Sequence, residues 1–88
     1  MRPIKKIYYS SRFLRALKNL PVELKPAVVE REQIFRKDSF DPKLKTHKLS
    51  GKHKEHWSFS ISYGYRILFR FLADDNVAFE NVGDHSIY

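Results

Sequence analysis

The sequence predicts one small α+β domain in which an N-terminal strand and two helices precede an antiparallel meander of three strands. Apolar residues recur at helical spacing in the first half of the chain and alternate with polar residues in the second half. The chain has 88 residues, of which 42% are hydrophobic and 15% aromatic. This is enough for one modest core and too little for two domains. Residues 1–88 are therefore expected to form a single domain, a twisted antiparallel sheet with both helices on one face.

The first half of the chain predicts a strand and two helices. Residues 3–9 are rich in β-branched and aromatic side chains, which favour a strand. Ser10 or Ser11 is a suitable N-cap for the helix that follows. Pro21 ends this helix, because proline cannot continue one. Residues 22–36 then carry the apolar positions of a second helix.

The second half of the chain predicts the meander. Residues 43–55 are too polar and too basic for a core element, and they are expected to form a mostly irregular loop. In residues 57–63, large apolar side chains alternate with serines, which indicates a strand. Gly64 supplies a turn, and residues 65–72 and 77–82 predict the next two strands.

Alternation assigns the side chains to the two faces of this sheet. The face expected against the helices carries Trp57, Phe59, Ile61, Ile67, Phe69 and Phe71. The opposite face carries Ser58, Ser60, Ser62, Arg66 and Arg70. Small hydroxyls beside two guanidinium groups make a poor core but a suitable floor for a phosphate-binding groove.

Composition excludes several classes of protein. The chain contains no cysteine, which excludes a disulfide scaffold and the common zinc modules. His53 and His56 could supply half of a metal site, but no further ligand pair stands at the usual spacing, so neither a metal nor a cofactor is expected. No apolar run approaches the roughly 18 residues of a membrane span, and the first residues lack a signal-peptide pattern. A cytoplasmic protein without membrane association is therefore expected.

Basic residues are concentrated in two segments of the chain. Lys and Arg number 17 against 10 Asp and Glu, which gives a net charge of +7. Residues 1–20 carry six basic residues and no acidic one, and residues 43–56 carry five lysines and one glutamate. Such a distribution is typical of a surface that binds nucleic acid, although an acidic protein would suit it equally well.

Four segments in this order resemble one protein family. They are residues 44–51 (LKTHKLSG), 57–61 (WSFSI), 65–71 (YRILFRF) and 82–88 (VGDHSIY). Together with the length and the order of elements, they are similar to the RelE/ParE superfamily, the toxins of bacterial type II toxin–antitoxin pairs. The resemblance implies a neutralising antitoxin with an acidic segment as partner. RelE-like members cleave mRNA, often on the ribosome, without a metal ion, whereas ParE-like members poison DNA gyrase.

The resemblance also implies catalytic residues. Metal-free RNA cleavage needs a base for the 2′-OH proton, a cation for the phosphorane and an acid for the leaving oxygen. His47 matches a histidine of the YafQ-like branch, and His85 matches the C-terminal histidine of YoeB- and YafQ-like members. Arg66 matches the strand arginine of RelE- and YoeB-like members. The expected roles are proton transfer for the histidines and transition-state stabilisation for Arg66.

Each of these three residues also has a purely structural interpretation. His47 and His85 could be solvated side chains of a loop and a tail. Arg66 could pair with Glu80 or Asp84 at the surface of the sheet.

Further residues are expected to hold RNA. They are Lys43, Lys45, Lys48, Lys52, Lys54, Arg70 and Tyr88. The lysines would contact phosphates without reading the base sequence. Tyr88 would either stack on a base or anchor the tail.

The chain departs from the family pattern at several positions. Ser60 stands where YafQ-like toxins have a second histidine, and Gly64 stands where they have an aspartate. Trp57 and Phe59 replace lysines of RelE, and Glu55 is the nearest candidate for the glutamate base of YoeB. Three interpretations stay open: an mRNA endoribonuclease, which the two histidines and the arginine favour, a gyrase poison, and an inactive member that only binds its antitoxin.

Overall fold

A computed structural model of the chain describes residues 3–51 and 55–87. Its helices and strands follow in the order β1 (Lys6–Tyr9), α1 (Ser11–Lys18), α2 (Lys25–Lys37), β2 (His47–Lys48), β3 (Trp57–Ser62), β4 (Tyr65–Phe71) and β5 (Asn76–Gly83). Short 3-10 turns occupy Val22–Leu24, Pro42–Leu44, Ala73–Asp75 and His85–Ile87. Within the described residues, neither helix has the length and apolar character needed to cross a bilayer. The small α+β fold expected from the sequence is confirmed.

The sheet is mixed, which differs in one pair of strands from the expected antiparallel arrangement. Its strand order is β1-β5-β4-β3-β2. The three pairs among β2, β3, β4 and β5 are antiparallel, but β1 runs parallel to β5, with Ile7 opposite Val77. Parallel neighbours need a long crossover connection, and the segment that contains both helices provides it.

The core lies between the helices and one face of the sheet, and phenylalanine rings dominate it. Phe35 of α2 stacks on Phe59 of β3 with the ring centroids 4.7 Å apart. It also meets the rings of Phe69 and Phe79 edge-on, at centroid distances of 4.9 and 5.6 Å. All four side chains are fully buried. Phe13 of α1 joins them through Phe79, at 5.3 Å.

The prediction of the inward face is confirmed at the centre of the sheet, but one end of that face is not covered by the helices. Phe59, Ile61, Ile67 and Phe69 are buried. Trp57 and Phe71, the two remaining members, are only partly covered and form a surface cluster of rings with Phe40. The helices therefore do not extend over the end of the sheet that carries Trp57 and Phe71.

Polar contacts fix the first helix to the sheet. The Ser10 hydroxyl accepts a hydrogen bond from the backbone N–H of Phe13 at 2.9 Å, as an N-cap does, and donates one to the Glu80 carbonyl at 3.0 Å. Next to it, the Tyr9 hydroxyl donates to the Glu32 carboxylate of α2. Burial and the hydrogen bond to Glu32 raise the pKa of Tyr9 above its ordinary value.

The basic segment is more ordered than the expected irregular loop over residues 43–55. Pro42–Leu44 forms a 3-10 turn, and β2 pairs with β3 as a short edge strand. Leu44 is fully buried beneath the segment. One apolar side chain therefore anchors a stretch of chain that is otherwise polar and basic.

The central position of Phe35 predicts a large effect of its removal. Phe35→Ala should lower the free energy of unfolding by about 3–5 kcal/mol, because it leaves a cavity between three other rings. Urea denaturation followed by circular dichroism measures this. Val29→Ala is a matched control on the same helix, since Val29 is exposed, and should change stability by no more than about 0.5 kcal/mol. Equal losses in the two variants would contradict the central role of the Phe35 ring.

Candidate functional site

A pocket of about 410 Å³ lies on the face of the sheet opposite the helices, where the β3–β4 hairpin turns. The described lining residues come from three separate parts of the chain: the start of the basic segment 43–56, the β3–β4 hairpin and the C-terminal turn. The lining residues are Lys45, His47, Ser58, Ser60, Ser62, Tyr63, Gly64, Arg66 and His85. The structure thus brings His47, Arg66 and His85 together, although up to 38 positions separate them in the sequence.

Arg66 lies on β4, near the middle of the sheet. It stands opposite Ser60 of β3 and opposite Gly83 of β5. Both neighbours are small, so the long Arg66 side chain has room over the strands. The residue is half-buried, and its Nε atom is shielded from solvent. A guanidinium group in such a position has restricted motion and presents its donors in a fixed plane.

The backbone and a neighbouring serine orient the imidazole of His47. Nδ1 lies 3.2 Å from the carbonyl oxygen of Lys45, which can only accept, so Nδ1 carries the proton of this contact. In the neutral ring, Nε2 then holds a lone pair. The Ser58 hydroxyl is 3.4 Å from Nε2 and can donate to it. His47 is thereby held with a proton-accepting nitrogen beside the serines of the pocket floor.

Lys45 has a left-handed backbone conformation, with φ of 52°. This conformation is unfavourable for residues other than glycine by roughly 1–2 kcal/mol. It ends the Pro42–Leu44 turn and directs the chain into β2. Strained residues of this kind cluster at functional sites, and Lys45 is the only lysine among the described residues that line the pocket.

Two hydrogen bonds hold the segment before His47 against the body of the protein. The Thr46 hydroxyl donates to the Ser39 carbonyl at 2.6 Å. Nη1 of Arg31, on α2, donates to the Lys43 carbonyl, also at 2.6 Å. The position of His47 is therefore set by tertiary contacts and does not depend on the two-residue strand alone.

The C-terminal turn brings His85 to the pocket. The turn His85–Ile87 lies against the ends of β5 and β4. This close approach depends on Gly83, because a Cβ atom there would lie 2.6 Å from Cγ2 of Ile87. At the start of the turn, Oδ1 of Asp84 accepts a hydrogen bond from the backbone N–H of Ser86 at 2.9 Å. His85 itself is exposed.

The other predicted site residues lie elsewhere or outside the described residues. Lys43 and Lys48 are exposed but do not line the pocket, and the same holds for Glu55. Arg70 binds Glu80, with Nε donating to Oε2 at 2.9 Å, and it does not line the pocket either. Lys52, Lys54 and Tyr88 are outside the part of the chain that the structure describes.

Glu80 and Asp84, the two carboxylates that the sequence offers as partners of Arg66, each accept a hydrogen bond from another group. Glu80 accepts from Arg70, and Asp84 accepts from the backbone of Ser86. Among residues 3–51 and 55–87, the pocket lining contains Lys45, Arg66 and two histidines but no acidic residue. Its electrostatic character is therefore suited to an anion. Over residues 3–51 and 55–87, no three His, Cys, Asp or Glu side chains come together as a group that could hold a metal ion.

Tyr63 is a lining residue that the sequence analysis did not single out. It lies in the hairpin loop before Gly64, at the end of the alternating pattern of β3. A signal was present in the sequence, because an aromatic residue in a two-residue loop has no cross-strand neighbour to pack against.

The whole structure is similar in fold to several solved structures of toxins. The YoeB/ParE toxin from Agrobacterium tumefaciens matches with a TM-score of 0.78 at 13% sequence identity, over 92% of this chain and 99% of that chain. A chain of the DinJ–YafQ toxin–antitoxin complex from E. coli matches with 0.73 at 19% identity, over 92% of both chains. The chain has the fold of the RelE/ParE toxins. The archaeal RelE–RelB complex from Pyrococcus horikoshii shares this toxin fold, with 0.73 at 15% identity over 100% of both chains.

This likeness of fold has no counterpart among protein-family models or curated proteins. No protein-family model matches the chain, and no curated protein matches it. Some of the solved toxins with this fold were captured together with an antitoxin, as in the DinJ–YafQ complex. The RelE/ParE fold is thus shared at identities too low to carry over the role of any residue.

The Asp84 contact predicts a pH dependence of the turn that carries His85. The hydrogen bonds from Ser86 lower the pKa of the Asp84 carboxyl below its ordinary value of 3.8. A lowered pKa in the folded state means that the stabilisation is present above about pH 3.8 and is lost as the pH falls through the lower folded value. NMR titration of the carboxyl carbon should give a midpoint below 3.8. Ser86→Ala keeps the backbone donor and removes the side-chain one, so it should retain part of the shift. A midpoint at or above 3.8 in the wild type would contradict the contact.

Proposed function

We propose that this protein is the toxin of a type II toxin–antitoxin pair and that it cleaves mRNA by a metal-independent mechanism, thereby inhibiting translation. The observation that carries the proposal is the pocket itself, which gathers two histidines, an arginine and a lysine on a floor of small hydroxyls. This is the set of groups that attack by a ribose 2′-OH requires. The RelE/ParE fold supports the toxin assignment.

The proposed reaction is an internal transfer of the phosphoryl group. The 2′-oxygen forms a bond to the adjacent phosphorus, and its proton passes to a base. The bond from phosphorus to the 5′-oxygen then breaks, and the leaving oxygen takes a proton from an acid. The products are a 2′,3′-cyclic phosphate and a 5′-hydroxyl, so one proton is taken up and one is released.

Arg66 is the group proposed to stabilise the phosphorane. It is half-buried and lines the pocket, so its charge is less screened than at an exposed position. Its planar donors can bind two phosphate oxygens at once. Because negative charge on those oxygens increases on the way to the transition state, the interaction strengthens during the reaction.

The two histidines are proposed to divide the proton transfers. The Nδ1–H···O=C contact with Lys45 leaves Nε2 of His47 as the acceptor, which suits the base. His85 is exposed on the C-terminal turn. This position suits the general acid, because the imidazole can take up a new proton from solvent after each turnover. Glu55 is exposed and outside the pocket lining, so it is the weaker candidate for the base.

The proposed partners follow from the charge of the surface. The net charge of +7 favours mRNA, the ribosome and an acidic antitoxin as partners, because each of them is negatively charged. We expect the antitoxin to neutralise the toxin by covering the pocket or its approach. The cytoplasm, where mRNA and ribosomes occur, is the proposed location.

The proposed mechanism predicts how a chelator, a modified RNA substrate and two alanine variants affect cleavage. EDTA should not inhibit cleavage, and RNA carrying a 2′-O-methyl group at the cleaved nucleotide should be inert, because its nucleophile is blocked. Arg66→Ala and His85→Ala should lower the single-turnover cleavage rate more than RNA affinity. For His85→Ala the loss should be about 10²–10⁴-fold. The assay is cleavage of end-labelled mRNA, alone and on ribosomes.

The control for these variants is Arg12→Ala, because Arg12 is an exposed arginine on α1 and does not line the pocket. Its cleavage rate should equal that of the wild type. Cleavage of the 2′-O-methyl substrate, or full activity of Arg66→Ala, would refute the mechanism. Inhibition of gyrase by a protein that leaves RNA intact would instead establish the ParE-like activity.

Lys45 and Lys48 are predicted to contribute phosphate contacts. The double variant Lys45→Gln/Lys48→Gln should bind RNA or ribosomes more weakly, to a similar extent for every RNA sequence. The slope of log affinity against log salt should decrease by up to about 0.7 for each lost contact with a single strand. Lys18→Gln/Lys37→Gln removes the same charge from the helices and should leave the slope unchanged. Equal slopes in the two double variants would show that the basic segment does not bind RNA.

A further inference from the structure

The Tyr63 side chain is 102% exposed, so its ring is as accessible as in an isolated extended peptide. It lies in the two-residue loop between β3 and β4, next to Gly64 with φ of 80°. Among residues 3–51 and 55–87, no ring packs on Tyr63 and no group hydrogen-bonds to it. Both faces of the ring are therefore available to a ligand.

The fold itself does not require an aromatic residue at this position. Two-residue hairpin loops favour asparagine, aspartate and glycine, and Gly64 already provides the conformation of the turn. The Tyr63 ring contributes no buried area to the core. A single exposed aromatic residue is common on protein surfaces, but this one lines the same pocket as Arg66 and His85.

A cationic groove with an aromatic ring at its margin is the arrangement by which proteins hold single-stranded nucleic acids. Cations bind the backbone, while bases stack on the ring whatever their identity. Here Lys45 and Arg66 provide the cations, and the small serine side chains of β3 line the pocket together with them and Tyr63. The pocket measures about 410 Å³, so a base on Tyr63 belongs to a nucleotide close to the phosphate at Arg66.

We propose that Tyr63 is a nucleobase-stacking residue that holds a base next to the cleaved bond. The inference rests on the proposed function, since it presupposes an RNA substrate. Stacking on Tyr63 fixes the ribose and phosphate of that nucleotide relative to Arg66. It thereby sets which bond is cleaved, and it favours purines, which offer the larger stacking surface.

The test combines a protein change with a matched RNA change. Wild type, Tyr63→Ala and Tyr63→Phe are titrated with RNA that carries 2′-O-methyl at the cleaved nucleotide, alone and on ribosomes. Parallel RNAs carry an abasic residue on one or the other side of that bond. Tyr63→Ala should weaken binding of the intact RNA by about 5- to 150-fold, whereas Tyr63→Phe should stay within about twofold, because it keeps the ring. With one of the abasic RNAs, the wild type and Tyr63→Ala should bind equally.

Tyr8→Ala is the matched control. Tyr8 is also an exposed tyrosine, but it lies on β1 at the opposite edge of the sheet and does not line the pocket. This variant should bind both kinds of RNA as the wild type does. Thermal denaturation should show unchanged melting temperatures, because Tyr63 buries nothing in the fold.

The outcomes separate this inference from the proposed function. If the wild type neither binds nor cleaves RNA, alone or on ribosomes, both are wrong. If the wild type cleaves RNA and Tyr63→Ala behaves like it, only the role of Tyr63 is wrong. An equal loss for intact and abasic RNA would also overturn stacking, because it would place the contact on the backbone.

Discussion

The stacking of Phe35 on the sheet determines how the rest of the molecule is organised. Its ring contacts Phe59, Phe69 and Phe79, one from each of the three long strands. A domain of this size has room for only one core. Because the aromatic rings place that core on one face of the sheet, the other face is left without helices. The pocket with His47, Arg66 and His85 occupies part of that free face.

The parts of the pocket are held in place in different ways. Arg66 lies on a central strand, between two paired strands, and the loop before His47 is tied down by Leu44 and by hydrogen bonds to α2 and to Ser39. His85 depends on a short turn that lies against the ends of two strands. Such a division suits a reaction in which the charge-stabilising group must be fixed in advance, while the proton donor must reach both substrate and solvent.

Much of the fold could be predicted from the sequence, because it depends on local patterns. The alternation in residues 57–63 predicted β3 and its inward face, and Ser10, which caps α1, was one of the two serines expected there. The parallel pairing of β1 with β5 could not be predicted, since strand direction depends on the path of the whole chain. Leu44 was missed for a different reason: a single buried anchor does not change the average composition of a basic segment.

The candidate site was predictable only in part. Arg66 and Arg70 share one face of β4, so periodicity cannot distinguish them. A shift in register between β4 and β5 near Leu68 brings Glu80 beside Arg70, and such a bulge leaves no signature in the sequence. The proximity of His47, Arg66 and His85 could be expected from the family resemblance but not from spacing, because the three come from distant segments.

Gly83 has an effect on how the site would appear in an alanine scan. Alanine usually removes a side chain, but at this position it adds one, and the added carbon would collide with Ile87. Either the Ile87 side chain or the turn that carries His85 would have to move, while every proposed site residue would remain in the protein. If the turn moves, a scan of the strand end would report Gly83 alongside the proposed catalytic residues, although Gly83 contributes no side chain to the site. Only a structural readout, such as the NMR shift of the His85 ring, would tell the two kinds of loss apart.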